Sequence, residues 1–190
     1  MPMNLQDVER LQAFYPEHQV ELREGKLILT SPSDGVSGVV GARFSWLLAS
    51  WVHDNNLGEV FAARTGFRLP NGDLLSPDVS FVSHARLKRI ARAYLTVVPE
   101  LIVEIKSSSD RIRGLEEKIA LFLRQGVQVG ILIDPDKKAV SVYHSTGITT
   151  DDREEAIFQK TTLRDDDSLA ILELFPGWEI AITNFWPSGL

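Results

Sequence analysis

Cysteine is absent from this 190-residue chain. Its absence excludes disulfides, thiolate-ligated zinc, iron–sulfur clusters and a thiol nucleophile. Long apolar runs are missing too. The longest, Val127 to Ile133, is interrupted by Gln128 and falls far short of the roughly 20 residues a membrane span needs. The opening stretch, Met1-Pro2-Met3-Asn4-Leu5-Gln6-Asp7, has neither the basic nor the apolar region of a secretory signal, so the expected location is the cytoplasm. There is no internal repeat, no low-complexity tract and no excess of positive charge: 20 basic against 26 acidic residues give a net charge of −6. That balance runs against an indiscriminate nucleic-acid binder. What is present is an ordinary globular composition, 44% hydrophobic and 24% charged. The length suits one domain spanning residues 1–190, and a chain of this size buries roughly 70% of its unfolded surface.

Leu5, Val8 and Leu11 recur at helical spacing before Pro16. Gln19–Leu22 and Leu27–Leu29 flank Glu24-Gly25-Lys26 and read as a hairpin. The cluster Ser31-Pro32-Ser33-Asp34-Gly35 opens a long helix from about Val36 to His53, whose apolar face holds Val40, Phe44, Leu47, Leu48 and Trp51. Strands are expected over Glu59–Ala62, Gly66–Leu69 and Leu74–Val82, then a helix over His84–Tyr94. A strand at Leu101–Lys106, a helix from about Arg111 to Arg124 capped from Ser107–Asp110, and a strand at Val127–Ile133 form a parallel crossover. A strand at Val140–Tyr143 follows a turn at 134–138, and an acidic stretch leads to short strands near Ser168–Leu174 and Trp178–Ile182. This order predicts an α/β fold with a mixed sheet flanked by helices.

Strand alternation sorts the side chains. Leu101, Val103 and Ile105 point to one face; Ile102, Glu104 and Lys106 point to the other. Ser76, Asp78 and Ser80 likewise share a face opposite Val79 and Phe81. Two inner strands thus each place a carboxylate on a polar-bearing face. In the following helix, Lys118 falls on the inward stripe with Leu115, Ile119 and Phe122; it either snorkels to the rim or reaches the carboxylates. Two carboxylates can hold a hard divalent cation such as Mg²⁺, which activates water and stabilises charge on a phosphate. A nearby lysine orients the water or neutralises that charge. This is the logic of phosphodiester hydrolysis.

Ser76-Pro77-Asp78 followed by Glu104-Ile105-Lys106 resembles the PD-(D/E)XK pattern of restriction-endonuclease-like nucleases. The wider set resembles the Uma-two family of restriction-endonuclease-like proteins. It comprises the Gly25 hairpin, Ser31-Pro32, Thr65-Gly66-Phe67, Ser76 to Val79, the Glu104 strand, Ser107 to Arg111, Lys118 with Gly126-Val127, Asp134-Pro135, and Leu174 to Gly177. The resemblance implies a restriction-endonuclease-like core, Mg²⁺-dependent nuclease activity on DNA with Mn²⁺ as a substitute, and homodimers. It assigns Asp78 and Glu104 to the metal, and the catalytic cation to Lys106, with Lys118 as rival. Relatives often carry Glu or His just after the Ser-Pro turn, where this chain has Val36 and Ser37.

Each of these residues also has a plainer reading. Glu104 and Lys106 could be a same-face ion pair, Asp78 could end a turn, and Ser107 to Ser109 could simply cap a helix. Arg86, Lys88, Arg89 and Arg92 form a basic cluster on the outer face of the expected 84–94 helix, where phosphate contact competes with simple solvation. His18, His53, His84 and His144 lack ligand spacing. Trp46, Trp51, Trp178 and Trp186 suit a core or a dimer interface. The alternative to an endonuclease is a non-catalytic module of the same fold that binds nucleic acid or a protein partner; a third reading is a purely structural homodimer. The charge is patchy: residues 151–167 hold seven acids and three bases, whereas residues 84–94 carry four bases and no acid. The acidic total is therefore compatible with a nucleic-acid substrate.

Overall fold

The computed structural model of the protein describes residues 2–90, 92–147 and 158–189. Helix α1 (Leu5–Phe14) starts with a capping box in which Asn4 and Asp7 bond reciprocally to each other's backbone N–H. Strands β1 (Gln19–Arg23) and β2 (Lys26–Thr30) form the expected hairpin. Its two-residue turn has φ +49° at Glu24 and +71° at Gly25, the left-handed pair of a type I′ turn. A Cβ at Gly25 would come within 2.9 Å of Pro2 Cβ. Helix α2 (Gly35–Asp54) is capped by Asp34. Then come β3 (Gly58–Ala62), β4 (Phe67–Arg68), β5 (Leu74–Leu75), β6 (Val79–Ser83), β7 (Leu101–Ile105), α3 (Ile112–Arg124), β8 (Val129–Asp134), β9 (Ala139–Ser145), β10 (Phe158–Arg164), β11 (Ser168–Ala170) and β12 (Glu179–Ala181).

The strands assemble into a four-stranded sheet, β2-β1-β5-β4, a six-stranded mixed sheet, β10-β9-β8-β7-β6-β3, and the short pair β11-β12. Among the described strands of the large sheet, only β7 and β8 pair in parallel, joined through α3 as expected. One face of this sheet packs Leu101, Val103 and Ile105 against Val40, Phe44 and Leu48 of α2 and against Phe175, Trp178 and Phe185 of the C-terminal segment. The opposite face packs Ile102 and Leu132 against Ile119 and Phe122 of α3. The alternation read from the sequence therefore holds on β7. Gly130 permits the close approach of α3, since a Cβ there would lie 2.5 Å from Ile119 Cγ2.

Three expectations change. Leu74–Val82 is not one strand. The chain leaves the small sheet after Leu75, turns at Ser76-Pro77-Asp78 and enters the large sheet at Val79. Pro77 cannot supply a ladder N–H, so the break falls where the sheets change. The helix expected over 84–94 does not form over its described residues, which turn and bend instead; Ala91 lies outside them. The apolar spacing there is no buried face, because Ile90 is 62% exposed. The segment is held from outside: Arg86 bonds Glu100 and the Val98 carbonyl, and Leu95 bridges to Phe67. Finally, a seven-residue strand, β10, closes one edge of the large sheet in full register with β9, within the acidic stretch where no strand was expected. The acids at 151–155 lie outside the described residues. Among the described residues, no helix is long and apolar enough to cross a membrane.

Candidate active site

The sheet-changing turn at 76–78, the C-terminal end of β7, the first turns of α3 and the β1 strand meet around one cavity of about 410 Å³. Asp78, Glu104 and Lys118 all line it. Glu104 sits on the α3-facing side of β7, and Lys118 reaches it from the inward stripe of α3: Nζ stands 2.9 Å from Glu104 Oε1. At that distance Lys118 is the cation that answers Oε1, which is buried. Asp78 is held by its Oδ2, which accepts the Ile105 N–H at 2.7 Å.

Lys106 does not join them. β7 ends at Ile105, so the alternation that would carry Lys106 to the Glu104 face stops one residue early. Its backbone N–H bonds the Ile133 carbonyl, and its Nζ pairs with Asp136 at 2.6 Å. That hydrogen bond, against a smaller effect of burial, raises its pKa. The lysine that meets the carboxylates is Lys118.

Glu21, on β1, was not anticipated. It is 1% exposed, pairs with Lys118 at 2.8 Å and with Arg23 at 3.2 Å, and accepts the Ser76 N–H at 2.8 Å. The hairpin was legible, but alternation with Val20 and Leu22 turned Glu21 away from the small core under α1. Nothing local announces that the far side is covered by the Ser76 turn and α3. The nearest signal is the string of polar residues Gln19, Glu21 and Arg23 on one side of a strand.

Three carboxylates thus surround one ammonium. Burial drives Glu104 up to about 8, against the pull of Lys118 and reinforced by Asp78 and Glu21. Burial likewise raises Asp78, opposed by Lys118 and the Ile105 N–H. Burial would raise Glu21 as well, but Lys118, the Ser76 N–H and Arg23 outweigh it and hold it low. Lys118 is buried too, yet the carboxylates outweigh that burial and keep its ammonium charged. Strongly perturbed groups converging in a cleft mark functional sites.

The serines at 107–109 do not cap α3. The cap is Arg111, without a side-chain bond. Ser107 donates through N–H and Oγ to Asp110, and the Ser108 N–H bonds Asp34 Oδ2 at 2.7 Å. Asp34 also takes the Ser37 N–H, and these two amides hold its pKa low. It therefore ties the start of α2 to the loop beside the cavity. Val36 and Ser37 are not among the lining residues; Ser37 is buried against Asp34. None of the four histidines lines the cavity, nor does the 86–92 basic cluster. Trp178 is core, Trp51 and Trp186 pack against it, and Trp46 is 68% exposed.

The family model of Uma2, described as "Putative restriction endonuclease", matches residues 5–183. The chain belongs to the Uma2 family. Its fold is also that of a solved structure described as a putative nuclease from Anabaena variabilis, with a TM-score of 0.75 at 19% identity, covering 88% of this chain and 89% of that one. No curated protein matches. The sheet-and-helix arrangement is therefore a nuclease-like fold, as the motif order implied.

Restriction-endonuclease-like families generally use divalent metal ions. Among the described residues, no group of three or more histidine, aspartate or glutamate side chains forms a metal cage. Mg²⁺ does not need one, since it is commonly bound through one or two carboxylates and keeps several waters. Asp78 and Glu104 suit it on two counts. Both line the same cavity, and burial raises both carboxyl groups, so a divalent cation beside them would favour their charged forms.

Proposed function

We propose that the Uma2-family cavity hydrolyses DNA phosphodiester bonds, with Asp78 and Glu104 as ligands of a Mg²⁺ ion and Lys118 as the catalytic cation. The observation that carries this reading is the convergence of Asp78, Glu104 and Lys118 on one cavity at the end of β7. A bound Mg²⁺ would supply Lewis-acid charge against the phosphate and lower the pKa of an attacking water. The chain's own residues do the rest. The Ile105 N–H fixes the Asp78 carboxylate. Glu21 and the Ser76 carbonyl, at 2.8 and 2.9 Å, hold the Lys118 ammonium in place. From there Lys118 orients water and offsets negative charge that develops on the phosphate. Mn²⁺ serves in place of Mg²⁺, and a homodimer in the cytoplasm is part of the same reading.

Purified protein is expected to nick plasmid DNA with Mg²⁺ or Mn²⁺, and Asp78→Ala to abolish nicking. Equal activity in wild type and Asp78→Ala would overturn the reading. One observation favours a second reading, an inert module of the same fold: the Lys118 ammonium already lies within 2.9 Å of three oxygens, on Glu21, Glu104 and Ser76. A closed ion-pair network of that kind can be purely structural. Calorimetry with Mn²⁺ separates the two, because the inert module takes up no divalent cation.

A further inference from the structure

Besides Lys118, the cavity wall carries Arg23, Arg64 and Arg111, and Arg23 is the one that adjoins Glu21. Arg23 ends β1 just before the Glu24-Gly25 turn and lines the cavity with Glu21, Asp78, Glu104 and Lys118. Its Nη2 donates to Glu21 Oε2 at 3.2 Å. Its Nε is buried with no acceptor among the described residues. A guanidinium offers five N–H donors in a rigid fork, and two of them match the spacing of two phosphate oxygens. A buried donor without an acceptor is unfavourable, and a bound anion removes that penalty. Glu21 sets the arrangement. Through Oε1 it holds Lys118 and through Oε2 it holds Arg23, so one carboxylate fixes two cations, from β1 and α3, around a single cavity.

We infer that Arg23 grips a phosphate of the nucleic-acid strand beside the bond that is cut. It is a substrate-binding residue, not a participant in the chemical step. The identity of the anion rests on the nuclease reading above. Loss of a phosphate contact made equally in the ground and transition states raises KM and leaves kcat alone. It also contributes about one unit to the slope of log affinity against log salt.

The test measures binding of a fluorescein-labelled DNA duplex by anisotropy, with Ca²⁺ in place of Mg²⁺, over a salt series. Arg23→Gln is expected to weaken binding about tenfold and to flatten the salt slope by about one unit. Arg23→Lys keeps the charge but not the fork, so it should retain the slope and recover only part of the affinity. A purely structural role for Arg23 would leave the slope unchanged. Unchanged affinity and slope in Arg23→Gln, or no duplex binding by the wild type, overturns the inference. Should Arg23→Gln fail to fold by circular dichroism, Arg23→Lys decides, since wild-type affinity in that variant also overturns it. Plasmid nicking with Mg²⁺ is read in parallel. A wild type that binds the duplex without nicking refutes hydrolysis while leaving the Arg23 contact intact.

Discussion

Two buried glutamates bracket β7. Glu100 immediately precedes the strand and Glu104 is its fourth residue; they are 4% and 3% exposed. Their surroundings differ. Glu100 accepts the N–H and the Oγ of Ser83 and pairs with Arg86 at 3.2 Å, so both oxygens are used and one cation answers one anion. Glu104 shares the Lys118 ammonium with Glu21 and Asp78 and is driven up to about 8. A fold that needed only to bury a carboxylate at the end of this strand has a complete solution at Glu100. The arrangement at Glu104 lacks that one-to-one pairing, which is the contrast the proposed metal site would explain.

The sharpest way to break that contrast is substitution at each end. Asp78→Ala and Lys118→Met should each lower nicking by a hundredfold or more, read on supercoiled plasmid. Glu100→Ala should leave nicking per folded molecule intact. Its effect falls on stability instead, because it strands Arg86 and both Ser83 donors. Removing one partner of a buried pair costs about 3 to 5 kcal/mol, and the partial exposure of Arg86 places this case at the lower end. Urea unfolding would show it. A Glu100 variant that is stable but inactive would erase the distinction between the two ends.

The same contrast has a pH signature in the metal-free protein. Glu104 is raised from an ordinary 4.5 to about 8, chiefly by burial, so the fold favours its protonated form. The resulting stability is fully present below about 4.5 and is lost as pH rises through about 8. Glu21 works in the opposite sense: its lowered pKa supplies stability above its ordinary range that is lost on acidification. Unfolding between pH 5 and 9 should therefore show a decline toward alkaline pH. Glu104→Gln should flatten that decline, and millimolar Mg²⁺ should flatten it in the wild type. A wild-type profile level from pH 5 to 9 would contradict this origin of the decline.

How far the sequence carries depends on whether a residue's role is local. The hairpin, α1, α2 and the β7–α3–β8 crossover were legible, because turn chemistry, helical spacing and strand alternation all act over a few residues; Asp78 lines the same cavity as Glu104, but from the turn at 76–78 and not from a strand. The segment at 84–94 misled because Leu87 and Ile90 have helical spacing, while the chain is instead held by Glu100 and Phe67, distant in sequence. Strand β10 was hidden by its acidic neighbourhood, although Thr161, Thr162 and Leu163 have strand character. Glu21 was invisible for a related reason. Its burial comes from α3 and the Ser76 turn, which approach from elsewhere in the chain.

The choice between lysines shows the smallest expected effect and the clearest reasoning. Motif spacing favours Lys106, two residues beyond Glu104. Motif logic assumes that the strand continues, and β7 stops at Ile105. The side chain then turns to Asp136, whose side chain is 71% exposed. A pair with one partner in solvent contributes at most about 1 kcal/mol. Lys106→Ala should therefore leave nicking within about twofold of wild type and lower stability by less than about 1 kcal/mol. In the same assays Lys118→Met should lose nearly all activity. If the Lys106 variant instead fell as far as the Lys118 variant, the side chain would have to leave Asp136 and swing back to the cavity when substrate binds. The end of β7 would then be a moving part of the site rather than its fixed rim.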